Sequence, residues 1–161
     1  GLLPLSIILY LVSLGVDQGS WLVPATYTLA MIVDAVAAIA LGRVFDRAGP
    51  RILVPVMVLA VVPCLFVGRR IDLLLLAAGL VGVVVGAQES VFRAMVARLA
   101  VAGGIGGSYA VYGLAIGAGS AAAGFTYGLM VDLGLGLPYL LAYSIAAEAL
   151  ALIIFSKAIS S

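Results

Sequence analysis

The hydrophobic positions of the chain fall into six long runs, separated by short breaks that are polar or rich in glycine and proline. The runs cover residues 2–14, 21–41, 52–67, 73–93, 109–131 and 137–155. Within them, apolar residues follow one another without the alternation that a membrane β-strand shows. Because a helix satisfies its own backbone hydrogen bonds in lipid, the pattern predicts an all-α, polytopic membrane bundle. It has about six transmembrane helices and forms one domain, residues 1–161.

The first run is shorter than the others. A helix needs about 20 residues, at about 1.5 Å each, to cross a hydrocarbon core of about 30 Å, and residues 2–14 are too few. We interpret this run as a truncated helix, the second part of one whose beginning is missing. The chain opens at Gly1 without the basic start of a signal peptide.

Composition narrows the class of protein further. Mean hydropathy is +1.32, and only 9% of residues are charged, too few to cover the surface of a soluble fold. A net charge of +1 gives no indication of a nucleic-acid partner. Histidine is absent and Cys64 is the single cysteine, which excludes disulfides and Cys/His metal sites within one chain. No phosphate-binding loop occurs. We predict no enzyme activity, no cofactor and no metal.

The charges predict an orientation. Six of the eight basic residues fall on one side of the predicted membrane: Arg43, Arg47, Arg51, Arg93, Arg98 and Lys157. The other side carries the remaining basic residues and three acidic ones: Arg69, Arg70, Asp17, Asp72 and Asp132. Because basic loops stay in the cytoplasm, we expect loops 42–51 and 94–108 and the C-terminus there. The membrane is expected to be the cell (inner) membrane, crossed several times.

Glycine is abundant, with 20 residues, and several are spaced for helix packing. Three G-x-x-x-G pairs occur in the fourth and fifth runs: Gly82 and Gly86, Gly113 and Gly117, Gly124 and Gly128. Such pairs let membrane helices approach closely. Residues 117–124 have small side chains all round, which is compatible with tight static packing or with a helix that slides against its neighbour.

The break at residues 42–51 reads GRVFDRAGPR, with the spacing G-x-x-x-D-R-x-G-x-R. Gly42 is expected to end one helix, while Gly49 and Pro50 turn the chain into the next. The break resembles the signature loop between the second and third helices of each half of the major facilitator superfamily. Residues 27–49, 86–100 and 106–132 are similar to the C-terminal half of a prokaryotic branch of these transporters.

The resemblance implies that the six runs are helices seven to twelve of a twelve-helix secondary transporter. It also implies a cytoplasmic gating motif formed by Gly42, Asp46, Arg47, Gly49, Arg51, Glu89 and Arg93. Pro50 departs from the family, which usually has a basic residue there. The implied partners are the lipid bilayer, a small-molecule substrate, and a missing N-terminal half or a second copy of the chain.

Three carboxylates lie inside apolar runs, where a charge costs about 2.5 kcal/mol or more. Asp34 lies about 12 Å from the helix end. It is interpreted either as a proton-coupling group or counter-charge for a cationic substrate, or as a protonated packing residue. Glu89 and Arg93 are spaced i, i+4 and can pair, and Gln88 is placed beside them on the substrate or proton pathway. Glu148 is interpreted as a contact with Tyr143 or a neighbouring helix.

Two functions remain open. The first is alternating-access transport of an unidentified small solute, as a symporter or antiporter, with proton coupling through Asp34 or Glu89. The alternative is a non-transporting membrane subunit whose glycine faces bind partner helices.

Overall fold

The computed structural model describes residues 2–15, 20–66, 70–100 and 104–160, and this part of the chain is helical without any strand. The α-helices are α1 (Leu5–Leu14), α2 (Leu22–Ala48), α3 (Leu53–Leu59), α4 (Ile71–Ala87), α5 (Arg93–Leu99), α6 (Ile105–Asp132) and α7 (Leu137–Ser160). Short 3₁₀ turns cover Gly49–Ile52 and Val62–Phe66, and a π-helical turn, Gln88–Phe92, joins α4 to α5. Asp17 and Arg69, predicted on the outer side, and Val67, predicted to end the third helix, lie outside the described residues.

The prediction of an all-α fold is confirmed, but the predicted number of helices is wrong. The described residues form five continuous helical stretches rather than six, because α2 and α3 belong to one stretch, Leu22–Phe66. Gly42 does not end a helix either, since α2 continues to Ala48. Gly49 ends it with φ of 68°, a backbone region that glycine adopts without the steric cost of a side chain.

Four of the stretches are long and apolar enough to cross a membrane: Leu22–Phe66, Ile71–Arg98, Ile105–Asp132 and Leu137–Lys157. The fifth, α1, has 10 residues. These lengths and compositions are those of a multi-pass membrane protein.

The stretch Leu22–Phe66 reverses its direction at Gly49. Phe45, before the reversal, and Leu53, after it, share one buried cluster with Val91. Cys64, at the far end of the stretch, lies in the same cluster as Leu74 near the start of α4. Consequently α2 runs parallel to α4, while α3 runs antiparallel to it.

The closest helix pair is α2 against α4, and two glycines of α4 permit it. A Cβ at Gly82 would collide with the Ala30 carbonyl oxygen and lie 3.2 Å from the Asp34 nitrogen. A Cβ at Gly86 would lie 2.9 Å from the nitrogen of Ala38. The backbones are therefore in direct contact, which is the role that small residues play between membrane helices.

Helix α6 packs quite differently. Tyr127 is its one buried residue, and tyrosine side chains attach the helix at both ends. The hydroxyls of Tyr109 and Tyr112 donate hydrogen bonds to the backbone carbonyls of Arg93 and Gln88, at 3.0 and 3.1 Å. The hydroxyl of Tyr127 lies 3.6 Å from Cys64 Sγ. Most of the surface of α6 is consequently left uncovered by the described residues.

Candidate functional site

A cavity of about 620 Å³ lies between α1, α4, α6 and α7. Its walls are largely apolar and include Leu5, Val85 and Ile116. Polar side chains line it from three helical stretches: Gln88, Glu89, Arg93, Tyr112, Ser120 and Glu148. Concave, mostly apolar cavities of this size with a few polar groups are typical of small-molecule sites.

The charged groups of the cavity differ in exposure. Glu89 Oε1 and Arg93 Nη2 are 3.9 Å apart across one helical turn, and both side chains are more than half exposed. Glu148 is only 9% exposed. It lies on α7, five residues after Tyr143, whose ring packs edge-on against Tyr127 with centroids 5.1 Å apart. This ring contact joins α7 to α6, and Glu148 lines the cavity from α7.

The π-helical turn positions Gln88 and Glu89. Such a turn inserts an extra residue into the helical hydrogen-bond ladder and leaves a backbone carbonyl to find another partner. Here the Ser90 hydroxyl donates to the Gly86 carbonyl at 2.7 Å, and the Tyr112 hydroxyl donates to the Gln88 carbonyl. The irregular turn is therefore stabilised by side chains, one of them from α6, and it borders the cavity.

The structure separates Asp34 from the other two predicted pathway residues. Gln88 and Glu89 line the cavity, whereas Asp34 does not. Asp34 lies in the contact between α2 and α4, where its Oδ1 is 3.0 Å from the position of a Cβ on Gly86. That oxygen is buried, and no group in the described part of the chain forms a hydrogen bond with it.

The residues of the predicted gating motif form two separate ion pairs. Asp46 Oδ1 lies 3.2 Å from Nη2 of Arg98, which was not predicted as part of the motif. The Arg98 guanidinium also lies 4.6 Å from the ring centroid of Phe45. This pair joins the C-terminal end of α2 to α5, while Glu89 and Arg93 pair within their own stretch.

The remaining motif residues make no such contacts. Arg47 and Arg51 are exposed and form no ion pair with any residue that the structure describes. A Cβ at Gly42 would lie 3.9 Å from Ser90, and one at Gly49 would meet nothing within 4 Å.

The three G-x-x-x-G pairs differ in whether another helix packs against them. Gly82 and Gly86 lie against α2, as described above. A Cβ at any of the four paired glycines of α6, by contrast, would meet no atom within 4 Å in the described chain: Gly113, Gly117, Gly124 and Gly128. Gly113 instead lines the cavity.

Sequence reasoning missed two residues of this region. Arg98 was recognised only as a basic charge, because its partner Asp46 is 52 positions away. Glu148 was interpreted as a packing contact, because the helical pattern does not show which face of α7 meets α6. The signal that could have identified Glu148 as a candidate functional residue is its position as an isolated carboxylate in an apolar run.

We expect the Asp46–Arg98 pair to contribute modestly to stability. Both side chains are more than half exposed, so solvent screens the attraction, and exposed ion pairs are worth about 0.2–1 kcal/mol. A double-mutant cycle with Asp46→Asn and Arg98→Gln, read from denaturant unfolding of purified protein, should give a coupling energy in that range. Arg47→Gln is the matched control, with no coupling to Asp46→Asn. A coupling above about 2 kcal/mol would contradict the exposed geometry.

Relatives of the chain are found in mycobacteria. Uncharacterized proteins of Mycobacterium bovis and Mycobacterium tuberculosis are 32% identical to it over 145 residues. The alignment covers 89% of this chain and 35% of each relative, so the chain spans about a third of their length. No protein-family profile matches the chain, and no solved structure matches it significantly.

Proposed function

We propose that this chain is the C-terminal half of a secondary transporter of the major facilitator type, which moves a small solute across the cell membrane. The main support for this proposal is the cavity, because charged and polar side chains line it between helices long enough to cross a membrane. Intramembrane ionisable groups are costly and commonly mark substrate or proton pathways. The mycobacterial relatives, which are much longer than the chain, leave room for a second half.

The proposed orientation puts the Asp46–Arg98 pair at the cytoplasmic side. The basic residues Arg43, Arg47 and Arg51 lie around the reversal at Gly49, at the same end of the bundle as Arg98. The opposite end includes the exposed pair Arg70 and Asp72, 3.3 Å apart. An excess of arginine on one side supports a cytoplasmic location for it.

Cysteine accessibility tests this proposal without knowledge of the solute. In the complete natural protein, with Cys64 and any other cysteines replaced, Ser120→Cys places a thiol on the cavity wall. An alternating-access transporter should let a membrane-impermeant methanethiosulfonate reagent modify it from both sides, in whole cells and in inside-out vesicles. Phe125→Cys, on a 74% exposed position of α6 outside the cavity lining, is the control.

The same experiment addresses the alternative of a non-transporting subunit. The uncovered surface of α6 favours that alternative, since an exposed apolar helix in lipid is free to bind partner helices. A subunit without a pathway should leave Ser120→Cys reactive from one side at most. That result would overturn the transport proposal.

Proton coupling is a further part of the proposal. Glu89 lines the cavity, and Asp34 has a buried oxygen without a hydrogen bond in the described chain. If either carboxylate carries the coupled proton, Asp34→Asn with Glu89→Gln should abolish the pH dependence of solute uptake by the complete protein. Asp72→Asn, on an exposed carboxylate at the end of the bundle, should leave it intact. Unchanged pH dependence in the double variant would exclude coupling through these two groups.

A further inference from the structure

One face of the helical stretch Ile71–Arg98 stays in contact with α2 from the middle of the bundle to its end. The residues that make this contact are spaced at multiples of four: Gly82, Gly86, Ser90 and Arg98. The two glycines meet the backbone of α2, and the Cβ of Ser90 lies 3.9 Å from a Cβ position on Gly42. At the end of the stretch, Arg98 pairs with Asp46.

A regular α-helix would not keep these residues on one face. With 3.6 residues per turn, each step of four residues advances about 40° round the axis, so Arg98 would lie about 160° away from Gly82. The π-helical turn Gln88–Phe92 lies between them. It acts as an insertion of one residue and turns the following residues back by about 100°. The remaining offset of about 60° lets the long side chain of Arg98 reach Asp46.

Helix α6 supplies hydrogen bonds at both ends of this turn. The Tyr112 hydroxyl donates to the carbonyl of Gln88, the first residue of the turn, at 3.1 Å. The Tyr109 hydroxyl donates to the carbonyl of Arg93, the first residue after it, at 3.0 Å. A π-helical turn is the less regular form of the backbone, and a carbonyl without a partner in apolar surroundings is costly. Bonds from α6 therefore favour this turn over a continuous α-helix.

We infer that the hydroxyls of Tyr109 and Tyr112 are positioning groups, which hold the π-helical turn and thereby keep Arg98 against Asp46. Without them, Ile71–Arg98 becomes one regular α-helix and α5 rotates by about 100°, so that Ala97 faces α2 in place of Arg98. Through this turn, α6 connects the cavity wall with the Asp46–Arg98 ion pair. The inference goes beyond the proposed function, because it applies to a transporter and to a non-transporting subunit alike.

Thiol crosslinking between α2 and α5 measures the register of α5. In the complete natural protein, with Cys64 and any other cysteines replaced, Asp46→Cys is combined with either Arg98→Cys or Ala97→Cys. The rates of linkage by a short bis-methanethiosulfonate reagent are then compared. Both pairs lack the Asp46–Arg98 ion pair, so its loss does not account for a difference between them. With the tyrosines present, position 98 should link at least fivefold faster than position 97.

Removal of the two hydroxyls should reverse this preference. In Tyr109→Phe with Tyr112→Phe, position 97 should link at least fivefold faster than position 98, and Tyr112→Phe alone should reduce the preference for position 98 at least twofold. Tyr139→Phe is the matched control, since that tyrosine is 61% exposed on α7. It should leave the preference unchanged.

Deletion of Ser90 separates a change of register from a general loosening. The deletion removes the inserted residue, so a regular α-helix then brings Arg98 to α2 without a π-helical turn. In that background, Tyr109→Phe with Tyr112→Phe should no longer alter the preference for position 98. General loosening of the bundle would not be corrected by a deletion.

The competing cause of the turn is apolar packing, because Phe92 and Met95 lie against the buried cluster of Phe45, Leu53 and Val91. If that packing is sufficient, the preference for position 98 persists in the double tyrosine variant, and the inference is overturned. Equal rates at both positions in that variant, or a reversal that the deletion does not correct, would overturn it as well.

Discussion

Replacing Gly86 or Gly82 by alanine should destabilise the protein strongly. A Cβ at Gly86 would lie 2.5 Å from the Asp34 carbonyl oxygen and 2.9 Å from the Ala38 nitrogen. These are backbone atoms of α2 and cannot rotate away, so α2 and α4 must separate along their contact. Overpacking of this kind costs about 1–3 kcal/mol. The measurement is unfolding of the purified protein by titration with a denaturing detergent.

Gly79→Ala provides the matched control on the same helix. A Cβ at Gly79 would meet nothing within 4 Å, so the substitution keeps the packing of α2 against α4. Alanine favours a helix over glycine by about 1 kcal/mol, and stability should therefore stay unchanged or rise slightly. If Gly79→Ala, Gly82→Ala and Gly86→Ala behave alike, the close contact of α2 with α4 is not present in the protein.

If the chain is part of a transporter, as proposed, filling the cavity should stop solute uptake without unfolding the protein. Gly119 lines the cavity and has open space at its Cβ position, so the indole of Gly119→Trp is expected to occupy space that a solute would need. With the complete natural protein in proteoliposomes, we expect uptake of the transported solute to fall at least tenfold. Because a Cβ at Gly119 meets no atom within 4 Å in the described chain, the unfolding midpoint should change little.

Gly128→Trp separates this effect from a general effect of bulk on α6. Gly128 also has no atom within 4 Å of a Cβ position, but it does not line the cavity. Uptake should persist in that variant. If Gly119→Trp transports normally, the cavity is not the solute pathway. If both variants lose uptake equally, a bulky side chain on the surface of α6 is sufficient to impair uptake, and the loss is not specific to the cavity.

Local patterns predicted some contacts correctly and left others out. The Glu89–Arg93 pair lies one turn apart on one helix, so spacing alone places the two side chains on the same face. The Asp46–Arg98 pair joins residues from different helices, and helical periodicity carries no information on which of several basic residues Asp46 meets. The break at residues 42–51 was identified, but Gly42 was taken as its start. Glycine tolerates a helix interior, as Gly42 shows, and in α2 it is Gly49, with its φ of 68°, that ends the helix.

The same distinction applies to the glycine pairs. Six glycines share one spacing, yet two of them contact a neighbouring backbone and four do not. A G-x-x-x-G spacing makes a close approach sterically permissible. Whether another helix lies there depends on the packing of the bundle, which for α6 leaves most of the surface uncovered by the described chain.

The amino-acid sequence by itself determined that the protein is helical, with stretches apolar and long enough for lipid, because these properties follow from composition and from backbone hydrogen bonding. The sequence also determined that basic residues are more numerous at one end of the helical bundle than at the other. Tertiary structure alone decided that Glu148 and Glu89 share a cavity while Asp34 lies outside it. That outcome depends on the relative rotation of α2, α4 and α7, which long-range packing sets and no local pattern records.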